Sequence, residues 1–359
     1  MICCVDCFKD SEIIAIITSL NIRGSCEVCL HEDTYIYDID RNDNLISYFN
    51  ELIDIYTPIS KMSEEMKEYR AEFSLLKDEL NSRWNLFNVG SPKVYKIITE
   101  ICKKRYEQTP EIFDEPIGIV QMYDKEFKEK NSILRNYNWQ GFTEEIKNQN
   151  RFHIKSFNSE VFARIIEYAS TTFRRGEMFY RARLSNQRAT PFPQKCMGAP
   201  PKGKASSGRV NPLGISCLYL ASGLETAIKE IRAGIHDNVS IAKFELLKDI
   251  EVIDLTQLDK FSPLLGYDHV SHAINKEYLT HISNEVGTPL KGNDPNIGYL
   301  PSQYICDLIK SEGKKGVKYQ STMDKEEFNL AVFNEEYLRC TEVALYEVTE
   351  IKYNFFSKR

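Results

Sequence analysis

The 359-residue chain is 42% hydrophobic and 27% charged, which is enough apolar content for two or three domains with proper cores. A net charge of -6 argues against a generally basic nucleic-acid binder, and the longest aliphatic run, 13–17, is far too short to cross a bilayer. The amino terminus shows no basic leader with an apolar run behind it, so the expected location is the cytoplasm.

Four of the ten cysteines form two Cys-x-x-Cys pairs, Cys4 with Cys7 and Cys26 with Cys29. Two such knuckles about twenty residues apart suit a structural zinc site, each pair curling around one edge of the ion. Cys3 beside Cys4 leaves open which of the two thiols serves. The return between the knuckles reads as a short helix capped by Asp10 or Ser11, filled by 13–20 and released at Gly24. A strand is expected at 35–39 and a helix at 45–56. Met62, Met66, Tyr69, Phe73, Leu76, Leu80, Trp84 and Phe87 then recur at spacings of four and three, which predicts one helix of about seven turns in a bundle core. Ser91 with Pro92 starts another helix. Residues 1–150 thus read as a mostly helical, cysteine-headed accessory module. Its arginines and histidines give no pair suited to a helical ribonuclease: Arg151 and His153 are too close, and Arg23 to His31 spans the knuckle.

From Ser159 a second module opens with an amphipathic helix and turns to strands, at 178–183, 216–221, 240–247, 252–255, 316–320, 329–333 and 341–353. The class is α+β or α/β with a sizeable mixed sheet, and α+β is the expectation taken. Between the first two strands lies a basic, Gly- and Pro-rich loop whose run 198–204 approaches a Walker A nucleotide loop. Ala205 stands where the magnesium-binding hydroxyl belongs, two prolines occupy the cradle and no helix follows, so that reading is rejected. His269, His272 and His281, in a poorly patterned region, form no metal pattern.

The chemistry concentrates in 177–234. Arg181 and Arg183 lie two apart on a strand and share a face, and Arg209 sits in the loop; a phosphate-bearing ligand uses such forked, permanently charged donors. On the helix 224–234, Glu230 leaves the opposite margin of the apolar face from Glu225, Lys229 and Arg232, where the helix meets the sheet.

These residues resemble the RES-domain family. The likeness runs from about Ser159 to Phe355 through Phe179-Tyr180-Arg181-Ala182-Arg183, Gly208-Arg209-Val210-Asn211-Pro212, Leu218-Tyr219-Leu220-Ala221, Ala227-Ile228-Lys229-Glu230, Pro301-Ser302-Gln303-Tyr304, Gly316 to Ser321 and Asn329 to Phe333. The amino-terminal segment resembles the HEPN-like domain that precedes longer RES domains. The resemblance implies an ADP-ribosyltransferase-like split sheet holding NAD, and destruction of NAD by phosphorolysis or by transfer of ADP-ribose to a target. It implies that Arg181 and Arg209 bind the pyrophosphate or the attacking inorganic phosphate, that Tyr219 stacks on or orients the nicotinamide or its ribose, that Glu230 holds ribose hydroxyls or stabilises the positive charge developing at the anomeric carbon, and that Ser321 and Asn329 complete the polar wall. Tyr180, Arg183, Asn211 and Gln303 are substrate-binding positions by the same likeness. A toxin or phage-defence effector follows, with an Xre-type antitoxin or a phage trigger as partner and a homo-oligomer as its assembly. The alternatives are a protein ADP-ribosyltransferase and a zinc-dependent nucleic-acid-binding or regulatory protein; Glu27, Glu32, Asp33, Asp38 and Asp40 make the knuckle surroundings acidic and count against the last.

Overall fold

The structure is a computed structural model and describes residues 1–135, 138–185, 190–288 and 295–352. Tyr353 and Phe355, near the expected ends of the last strand and of the RES likeness, lie outside the described residues. The chain is α+β, with a helical amino-terminal region and a large mixed sheet in its carboxy-terminal part. It divides into two compact units, Met1–Ser132 with Phe261–Lys276, and Ile133–Lys260 with Glu277–Arg359. The expected boundary near 150 falls inside the second unit. No helix among the described residues is long and apolar enough to cross a membrane.

In the first unit, Ile2–Cys4, Thr34–Asp38 and Arg23–Gly24 make a three-stranded antiparallel sheet. The helix Ser11–Ser19 starts where Asp10 accepts from the backbone of Glu12 and Ile13, as its capping position requires. It is released by Asn21 in the left-handed region rather than at Gly24.

The seven-turn helix expected over 62–87 does not form. The stretch is broken into the helix Glu64–Lys67, a 3-10 turn Arg70–Glu72, a strand Ser74–Leu75 and the helix Leu76–Ser82. The strand pairs with Pro116–Gly118, so backbone groups that a helix would use are spent elsewhere, and the Ser74 hydroxyl donates to the Glu79 carboxylate five residues on. Met62, Leu76, Leu80, Trp84 and Phe87 are nonetheless buried. The apolar period marked the core but not the element.

The second unit is built on eight strands, β1 Ser170–Phe173, β2 Met178–Leu184, β3 Leu218–Ala221, β4 Asn238–Leu246, β5 Ile250–Asp254, β6 Gly316–Gln320, β7 Phe328–Val332 and β8 Leu338–Glu347. Their order is β8-β4-β2-β3-β7-β6-β5-β1, and only β5 and β6 run parallel. Four helices of this part of the chain are α1 Ser159–Ile166, α2 Leu224–Glu230, α3 His269–Gly287 and α4 Leu300–Ser311. One sheet face carries Phe179, Leu218, Leu220, Phe244 and Leu330. On the other, Ala182 and Ala221 lie with Ala227 of α2 in one apolar cluster, small side chains that let the helix come close to the strands.

The sheet has one weak seam. β2 pairs with β4 over its whole length, Met178 to Leu184, but meets β3 at a single rung, Tyr180 opposite Ala221. Beyond that rung the two strands part.

Candidate active site and metal centre

A pocket of about 410 Å³ opens where β2 and β3 separate, and its wall includes Tyr180, Arg181, Arg209, Tyr219, Glu230 and Asn329. Neighbouring residues on a strand point to opposite faces. Tyr180, Arg181 and Ala182 all reach the same pocket because no strand closes the gap between them.

Arg181 is the least satisfied cation of the wall. Its Nη1 is buried with no hydrogen-bond partner among the described residues. Burial, reinforced by the nearby positive charge of Arg183, moves its guanidinium below the usual arginine range. Arg183 shares the face, as expected, but lies outside the pocket: its guanidinium sits 4.8 Å over the Phe192 ring and donates to the Cys196 carbonyl.

Arg209 is held from two directions. Its Nη1 donates to the carbonyls of Gly287 (2.8 Å) and Val286 (3.3 Å), where α3 ends and a cation complements the helix dipole. Its guanidinium lies 5.4 Å over the ring of Tyr319, a pocket residue that the sequence reading left without a role.

The loop that carries Arg209 is knotted by amides. Asn211 Nδ2 donates to the carbonyls of Ser206, Pro212 and Ile215, while its Oδ1 accepts from the Tyr219 hydroxyl at 2.6 Å. That hydroxyl also accepts from Val210 N at 3.1 Å, and burial raises the Tyr219 phenol well above its ordinary range, so it works as a neutral donor. From α4, Gln303 Nε2 donates to Ser207 Oγ and to the Gly208 and Asn211 carbonyls, and Ser302 Oγ donates to the Arg209 carbonyl. Asn211 and Gln303 therefore spend their amides on the loop, and both are almost wholly buried. A Cβ on Gly208 would stand 2.6 Å from Tyr219 Oη and 2.8 Å from Asn211 Oδ1, which explains why this position has none.

Glu230 closes the site as the last residue of α2. Ser321 Oγ and Asn329 Nδ2 both donate to its Oε1, each at 2.7 Å. Of the expected residues, Tyr180, Arg181, Arg209, Tyr219, Glu230 and Asn329 are brought together on the pocket wall, and Ser321 joins them through Glu230. Tyr299 and Tyr319 also line the wall. Tyr319 sits inside the motif Gly316 to Ser321 and alternates inward with Val317 on β6, a periodicity visible in the sequence. Tyr299 offered no such signal.

In the first unit, Cys4, Cys7, Cys26 and Cys29 bring their sulfurs within 4.8 Å of one another. Cys4 and Cys29 are 3.3 Å apart, Cys7 and Cys26 3.6 Å, and Cys4 and Cys7 4.0 Å. Tetrahedral thiolates on zinc stand about 3.8 Å apart, from a bond of roughly 2.3 Å. Burial acts to raise the Cys26 thiol, but backbone N–H groups of Cys29 and Val28 donate to its sulfur and bring it down to about 7. Burial and the neighbouring thiols push Cys4 and Cys7 upward, so at these two positions the thiolates that a bound cation would stabilise are disfavoured. Cys3 lies apart from the cluster, its sulfur directed to the Tyr37 carbonyl, and burial holds its thiol near 12. The donor set fits a thiophilic ion and selects Cys4 over Cys3.

Residues 178–353 match the family model of the RES domain. This half of the chain is a RES domain. No curated protein matches the chain. Among solved structures, it is similar to the crystal structure of the M. tuberculosis MbcT-MbcA toxin-antitoxin complex, at 16% identity over 52% of this chain and 91% of that one, with a TM-score of 0.30. Agreement at that level transfers no property. The match to the RES domain starts at the first residue of β2, so the strand of Arg181, the Arg209 loop, α2 with Glu230, and Ser321 all lie within it.

Proposed function

We propose that the RES domain cleaves NAD at the nicotinamide–ribose bond by phosphorolysis, giving nicotinamide and ADP-ribose 1''-phosphate, and that this loss of NAD makes the protein a toxin or anti-phage effector. The observation that carries the reading is one fixed carboxylate, Glu230, sharing a pocket wall with two guanidinium groups, Arg181 and Arg209. As the C–N bond breaks, its electron pair returns to the cationic pyridine nitrogen, so nicotinamide leaves neutral without an acid. Positive charge develops on the sugar, where a carboxylate lowers the barrier. A phosphate oxygen then forms the new C–O bond, and arginines offset its charge beside the pyrophosphate.

The test is purified full-length protein incubated with NAD, with and without inorganic phosphate, with products resolved by mass. ADP-ribose 1''-phosphate that appears only with phosphate supports the phosphorylase. Free ADP-ribose in both conditions replaces it by a glycohydrolase, and ADP-ribose mass added to protein replaces it by a transferase. NAD intact throughout overturns the reading.

The same proposal gives the first unit an accessory role, with the four cysteines holding a structural zinc ion. It also implies a silencing partner, an Xre-type antitoxin, or a phage-borne trigger. Co-expression that restores growth of a poisoned host identifies the former.

A further inference from the structure

The Glu230 carboxylate sits in a position that its own helix does not favour. It is the last residue of α2, where the negative end of the helix dipole repels a carboxylate. Directly after it the chain turns out of the helix, with Arg232 in the left-handed region at φ 54°. Something else must keep the carboxylate against the sheet, and two neutral donors do so. Asn329 on β7 and Ser321, the residue following β6, converge on one oxygen, Oε1, each at 2.7 Å.

The atoms of Ser321 are then accounted for. A serine hydroxyl has one proton to give, and that proton goes to Glu230. Its oxygen also accepts from Met323 N at 3.2 Å, and the residue is 1% exposed. It has no donor left for a ligand and does not itself line the pocket. Two donors fill Oε1, and no donor among the described residues meets Oε2.

We infer that Ser321 is a positioning residue that acts on the reaction only through Glu230, fixing the carboxylate with Oε1 engaged and Oε2 free. The inference rests on the NAD-cleaving reading and refines it: the serine expected to act on the substrate contributes the orientation of another group.

The experiment is steady-state NAD cleavage by full-length wild type, Ser321→Ala, Ser321→Thr, Glu230→Gln and the double variant Glu230→Gln/Ser321→Ala, with NAD affinity measured by calorimetry and folding by thermal unfolding. Loss of a hydrogen bond to a charged group predicts kcat lower by ~10- to 100-fold in Ser321→Ala. KM and NAD affinity should stay close to wild type. Ser321→Thr, which keeps the hydroxyl, should recover most of kcat and serves as the readout if the alanine variant misfolds. In single turnover the double variant should be no slower than Glu230→Gln, because residues acting through one group are not additive. A raised KM with kcat preserved, losses that multiply in the double variant, or a Thr variant as slow as Ala would each overturn the inference while leaving NAD cleavage standing. Wild-type protein that leaves NAD intact overturns both.

Discussion

A buried guanidinium nitrogen without a partner costs stability until an anion arrives, and Arg181 has a nitrogen that finds none among the described residues. Replacing Arg181 by Met removes the unpaired charge and keeps most of the stem. The ligand-free variant is expected to unfold at the same temperature as wild type or a few degrees higher, a gain of about 1 kcal/mol. NAD and phosphate should then raise its melting temperature far less than they raise that of wild type. A ligand-free variant clearly less stable than wild type would show that the charge is satisfied in solution. At Glu230 the expected split is different. Glu230→Gln keeps the shape and an acceptor for Ser321 and Asn329 but loses the charge, so turnover should fall by roughly 10²-fold or more while NAD still binds. Near-normal NAD consumption by that variant would remove Glu230 from the chemistry.

The loop 206–215 behaves as one element because Asn211 ties it from within and Gln303 from outside. Gly208→Ala drives a methyl into Tyr219 and Asn211. It should cost about 1–3 kcal/mol of stability through broken buried hydrogen bonds and lower kcat/KM together with it, measured by thermal unfolding and NAD cleavage. Unchanged values for both would mean that the loop relaxes freely. How far such elements were legible in the sequence depends on what determined them. Strands β2, β3, β4, β6 and β7 were legible because their alternation is local, and α1 because its apolar face is clean. Helix α3 was not: Ser271, His272 and Asn275 are buried on it, so polar residues occupy core positions and blur the period. At the site, alternation placed Arg181 and Arg183 on one face. Which of the two meets the pocket is set by where β2 and β3 part, a tertiary fact. Asn211 and Gln303 read as ligand-binding amides because their acceptors, backbone carbonyls, leave no mark in the sequence.

At the scale of the whole chain, the four cysteines join two segments about twenty residues apart, so the proposed zinc should act as a cross-link on the first unit. Purified protein is expected to carry one zinc per chain by elemental analysis, to keep it in Cys3→Ser, and to lose it in Cys4→Ser with a lower melting temperature. Full zinc in Cys4→Ser would reassign the site. The first unit also takes Leu264, His272 and Ala273 of Phe261–Lys276 into its interior, with His272 stacked on Phe261 and meeting Trp84 edge-on. Removing residues 1–132 strips that segment of its packing, so the remaining chain should aggregate or melt well below the full protein; equal stability would show that the segment repacks by itself. A different consequence belongs to the single rung between β2 and β3. Past it, each strand turns a row of peptide N–H and C=O groups into the gap, and the other strand does not take them up. A ligand lying there can be met by main chain as well as by side chain. Such grip survives truncation of any side chain to alanine. Alanine scanning of the wall will therefore understate how firmly the pocket holds its substrate, and isotope-edited spectroscopy of the Leu218–Ala221 amides is the way to see the rest.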